Sequence, residues 1–98
     1  MADSETPRML VLPSELTYDQ ASACLRMLVQ GLKVLKGPEV VVDASALTVF
    51  DTSALAVLLE CRRQALADGK AFVVKGLPAA LMGMAGLYGV DALLQVAG

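Results

Sequence analysis

Asp51, Thr52 and Ser53 stand in a row and form the densest polar chemistry of the chain. They follow an apolar β-type run, Val40 to Asp43, and open a long apolar stretch with helical spacing. The first turn of a helix leaves backbone N–H groups without partners and carries the positive end of the helix dipole. A carboxylate and two hydroxyls placed there suit an N-cap, a bound anion or a phosphoryl group. One cap uses one side chain, and this site offers three of the capping type. Nucleophilic catalysis is poorly supplied. The chain has no His, so neither hydroxyl has the usual base to activate it. The ten carboxylates are scattered without metal spacing or an acid/base pair, and the glycines match no phosphate loop or dinucleotide fingerprint. The expectation is a chain with no catalytic residues, no metal and no cofactor.

Elements that must position the cluster follow from period and punctuation. Arg8 to Leu12 is a short apolar run stopped by Pro13, and Ser14 to Tyr18 can continue extended. From Asp19 to Lys36, Ala21, Leu25, Leu28, Leu32 and Leu35 fall on one helical stripe, and Gly37-Pro38 ends it. Val40 to Asp43 reads as a strand buried on both faces. A helix from Thr52 to Asp68 is closed by Gly69, and Ala71 to Val74 is the next strand. Pro78 opens a further helix that runs to Tyr88 and stops at Gly89. Ala92 to Val96 is a last short element. Strands alternating with helices predict an α/β fold, a mostly parallel or mixed sheet of four to five strands with helices packed on it. Residues 8–98 are expected to form one domain, after a tail over residues 1–7 that is expected to be disordered.

Composition narrows the function. Of 98 residues, 56% are hydrophobic, and mean hydropathy is +0.62. That is more apolar surface than so small a core hides easily, which points to a protein partner. Net charge is −2 and aromatics are 4% with no Trp, so neither a basic footprint nor a stacking platform for nucleic acid is present. No run reaches the roughly 18 apolar residues of a membrane span, and the start MADSETPR lacks a signal pattern. The expectation is a cytoplasmic chain that is not inserted in a bilayer. Cys24 and Cys61 sit inside helical patterns and read as buried thiols.

The run VVVDASALTVFDTSALAVLLECRRQALADGKAFVVKGL resembles a STAS domain, with Asp43, Asp51, Thr52, Ser53, Leu55, Leu59 and Gly69 matching the family pattern. The resemblance extends from Leu10 to Leu94. It implies the STAS-like fold and a non-catalytic binding role. LVLPSELTYD, DTSALAVLL and AGLYGVDALL are most similar to the small cytoplasmic STAS subunit of Mla-type phospholipid-transport ABC systems. That likeness implies binding to the ATPase subunit of the transporter, with Thr52 as the motif hydroxyl. A second likeness is to anti-sigma factor antagonists, whose kinase partner phosphorylates the residue at the place of Ser53. The chain departs from the family at Ala54, where Gly is frequent, and at Pro13-Ser14.

A docking surface is therefore expected at Thr52, Ser53, Ala54 and Val57 on the second helix and at Tyr88 on the third, with Ser53 or Thr52 as the phosphorylation position. On a helical plot Ala54, Leu58, Cys61 and Ala65 share the core face, widened by Leu55, Leu59 and Leu66, and Val57 falls outside it. Gly76 to Val90 carries no charge, so the outer side of its helix is expected to be covered. An anion held at the second helix start is a third reading.

Overall fold

The computed structural model describes residues 9–94 and the short strand at 96–97. In chain order the elements are β1 (Met9–Val11), β2 (Glu15–Leu16), α1 (Tyr18–Val34), β3 (Glu39–Asp43), β4 (Val49–Phe50), α2 (Thr52–Ala67), β5 (Ala71–Lys75), α3 (Ala79–Leu87), a 3₁₀ turn (Asp91–Leu93) and β6 (Val96–Ala97). The tail expected over residues 1–7 lies outside the described residues.

The main sheet has the order β1-β3-β5-β6 and every pairing is parallel. Each β–α–β crossover steps to the neighbouring strand in one direction. Right-handed crossovers of that kind put all three helices on the same face. The strands show it by alternation: Val40, Val42, Phe72 and Val74 are buried under the helices, while Glu39, Val41, Asp43, Ala71, Val73 and Lys75 point to the other side. The expectation that β3 is buried on both faces is corrected: Val40 and Val42 are buried, Val41 is only half-buried, and the described helices cover one face of the sheet. β2 does not join this sheet. It pairs in parallel with β4, Glu15 with Val49 and Leu16 with Phe50, as a separate two-stranded ribbon.

Helix α2 lies between α1 and α3. Ala54, Leu58, Cys61 and Ala65 face the sheet and are fully buried, as their spacing predicts. Leu66 was expected to widen that face but is exposed, and Val57 is buried instead. In α1 the deepest residues are Cys24, Leu28 and Leu32, with Ala21, Leu25 and Leu35 packed at the margin. Both thiols are buried and free. Burial pushes Cys61 up to about 12, with Cys24 close enough to add to it. Such thiols are packing groups rather than nucleophiles. One glycine is required by close approach: Gly76 has φ 71°, and a Cβ there would meet the Cβ of Ser45 at 2.8 Å. It lets the turn after β5 lie against the turn after β3.

Candidate functional site

The ribbon β2–β4 explains how two helix starts meet. Each of its strands runs directly into a helix, β2 into α1 and β4 into α2. The pairing is extended by the carbonyl of Ser14, which accepts from Thr48 N–H at 2.8 Å and Val49 N–H at 3.0 Å. The helices thus begin side by side and point the same way, and their positive ends converge.

Asp51 joins them. Its Oδ1 accepts from Ser53 N–H at 2.8 Å, the N-cap bond of α2. Its Oδ2 accepts from Tyr18 N–H at 3.1 Å, the first amide of α1. One carboxylate therefore caps two helices 33 residues apart in sequence. Thr17 completes the arrangement, because the Gln20 side chain accepts from Thr17 N–H at 2.8 Å and from its hydroxyl at 2.7 Å. Ser53 N–H, with Tyr18 N–H next, holds the Asp51 carboxyl below its ordinary value of 3.8.

That carboxylate fills the position where a bound anion would sit, so the anion reading is not favoured by the geometry. It also makes a poor base. Asp51 is the capping member of the triplet, and Thr52 is left exposed at the tip while Ser53 is half-buried. Tyr18, expected to end an extended segment, is instead the first residue of α1 and stands beside them with 80% of its surface exposed. Its only sequence signal was an aromatic immediately before a helical stripe. Below the tip, Ala21, Ser22 and Leu25 of α1 and Ala56, Val57 and Glu60 of α2 line an apolar groove of about 420 Å³.

Two of the expected contact residues are corrected. Ala54 is fully buried and Val57 is 3% exposed, so neither offers surface to a partner in this fold. Val57 lies beside Ala21 and Leu25, turned toward the neighbouring helix rather than the sheet. Tyr88 is 63% exposed, with Leu87 exposed before it. It does not join the Thr52 tip. Helices α2 and α3 both start at the C-terminal edge of the sheet and run back across it, and α2 is about 24 Å long at 1.5 Å per residue. Thr52 stands at the head of that layer and Tyr88 at the foot of α3. The foot also holds exposed Leu66 and Leu93, which with Arg62 and Phe72 line a second hollow of about 280 Å³. Among the described residues no cluster of three or more His, Cys, Asp or Glu has metal-binding geometry. No helix among them is long and apolar enough to cross a membrane.

The lowered carboxyls set an acid limit. Asp51, Asp43 (held down by Ser45) and Glu60 (held down by Arg63) all lie below their ordinary values. The unfolded chain then takes up protons before the folded one does as pH falls. The stability they give is present above the ordinary range and lost below it. Thermal melts are expected to be flat down to about pH 5 and then to fall steadily. An Asp51→Asn chain is expected to show a shallower fall, and an unchanged slope would mean that the two caps do not carry it.

Comparison with known proteins gives a consistent fold. A family model described as "Mlab, STAS domain" matches residues 2–95. No curated protein matches the chain. Among solved structures, a sulfate transporter family protein from Wolinella succinogenes is similar at 16% identity. The match covers 91% of this chain and 74% of that one, with a TM-score of 0.71. The STAS domain of a SulP transporter from Vibrio cholerae is similar at 11% identity, over 95% of this chain and 75% of that one, with a TM-score of 0.66.

Proposed function

The chain belongs to the STAS domain family described by the Mlab model, and from that premise we propose that it is a non-catalytic cytoplasmic subunit that binds the ATPase of an Mla-type ABC transporter. Such a complex moves phospholipid and maintains outer-membrane lipid asymmetry. The observation that carries the reading is the division of labour at the paired helix start. Asp51 caps α2 and, with the Thr17–Gln20 pair, the start of α1, and Thr52 stands exposed at the tip with Tyr18 alongside. A hydroxyl and an aromatic ring on a rigid, preformed tip suit an interface anchor. Binding there favours one state of the partner by differential contact, without chemistry in this chain.

An anti-sigma factor antagonist switched by a kinase fits less well. Ser53 is half-buried and its N–H is taken by Asp51. A phosphate of about −1.5 to −2 charges on Ser53 would meet that carboxylate directly.

The test is co-purification with an Mla-type ATPase. Wild-type chain is expected to be retained. Thr52→Arg is expected to lose binding by about tenfold or more while its melting curve stays within about 0.5 kcal/mol of wild type. Tyr88→Glu, run alongside, reports whether the foot of the helix layer takes part. Equal retention of Thr52→Arg would remove the tip from the interface.

A further inference from the structure

Among the described residues, the helix layer covers one face of the main sheet and leaves the other open. On it lie Met9 and Val11 of β1, Val41 of β3 and Val73 of β5, with Val11 56% exposed. All-parallel sheets are almost always covered on both faces, and here the three described helices all lie on the one opposite. We propose that this face is a contact with a second copy of the chain, related by a two-fold axis that runs parallel to the strands midway between β3 and β5.

The charges on the face choose the occupant and the axis. The order β1-β3-β5-β6 is symmetric about the β3/β5 midline. Rotation about that line lays β3 of one copy over β5 of the other, and β1 over β6. Register partners in the sheet then become partners across the interface. Val41 meets the second copy's Val73, and Asp43 meets its Lys75. The same operation gives the reciprocal pair, as an isologous contact requires. Asp43 and Lys75 from the two copies form a square of alternating sign. Glu39 falls over the small Ala71 at the rim, where water reaches it. An axis perpendicular to the strands would instead lay Asp43 over Glu39, two like charges. The face is thus complementary to itself in one orientation and repulsive in the other.

The area sets the strength. Strands of three, five, five and two residues, spaced about 4.8 Å apart with about 3.3 Å per residue, give a patch of about 240 Å² in projection. Standard interfaces bury about 800 Å² per partner. The contact is therefore a weak one, forming in the micromolar range or above. It leaves both Thr52 tips free and pointing the same way, so it is independent of the ATPase reading.

Sedimentation velocity of the full chain from about 1 to about 500 µM brackets such affinities. Wild type is expected to shift from monomer to dimer across that range. Val73→Lys is expected to stay monomeric throughout. Lys75→Glu, an exposed change that sets Glu against Asp43, is expected to raise the dissociation constant about tenfold or more. It keeps the test decisive if Val73→Lys melts early. Thr52→Arg is expected to dimerise as wild type does. A chain that is monomeric at every concentration overturns the proposal. So does a dimer that survives both sheet-face changes or that is lost in Tyr88→Glu instead.

Discussion

A Val57→Asp chain is expected to be largely unfolded, whereas Ala56→Asp, one residue earlier, is expected to fold as wild type. Val57 is 3% exposed and lies beside Ala21 and Leu25, while Ala56 is exposed on the rim of the same groove. An aspartate at Val57 places an unpaired carboxylate against apolar side chains, and its stem is too short to reach water as a longer side chain would. The cost is about 3–5 kcal/mol, to be set against about 5–15 kcal/mol for the whole fold of a domain of this kind. Circular dichroism and a urea titration measure both variants. If Val57→Asp keeps a wild-type midpoint and loses only partner binding, Val57 belongs to the docking surface and the packing of α1 on α2 is not as described.

Asp51→Ala is expected to have the second largest effect. A single N-cap lost to Ala costs about 0.5–2 kcal/mol. Asp51 serves the first turns of both α1 and α2, so the expected loss is about 1–3 kcal/mol. For a domain of this length that is a fall in melting temperature of about 4–8 °C per kcal/mol. Thr52→Ala, at the neighbouring exposed position, is expected to change stability by no more than about 0.5 kcal/mol. If the two substitutions cost the same, capping is shared along the triplet. Thr52 would then have a structural duty, and the argument for it as a contact residue weakens.

The regular elements were legible because their signals are local. Val40 to Asp43, the stripe ending at Lys36 and the helix from Thr52 to Asp68 carry their own period and their own Gly or Pro stops. The observed spans differ by a residue or two at the ends. The alternation of strands and helices is likewise a property of the chain order, and it is sufficient to give a parallel α/β fold. The family motif around Asp51 was legible for the same reason, since its residues are contiguous. The ribbon β2–β4 was not. Two residues are too few to show a period, and Val49-Phe50 reads as part of the turn before α2.

The sequence by itself determined which residues could form the tip, the absence of a His-based nucleophile site and the charge-free helix near Tyr88. Only the tertiary structure decided what those residues do. A helical plot assigns one inward face, toward the sheet, and so it left Val57 on the outside. The middle helix of a layer has a neighbour on each flank, and that second burial comes from docking against α1. Asp51 looked like one of three equivalent caps until the ribbon brought Tyr18 N–H to its other oxygen. Thr52 and Tyr88 looked like one surface until the direction of the helices put them at opposite ends. In each case the deciding factor is a relation between residues far apart in the chain. It is a contact for Val57 and Asp51, and the packing direction of two helices for Thr52 and Tyr88. Local period carries no information about such relations.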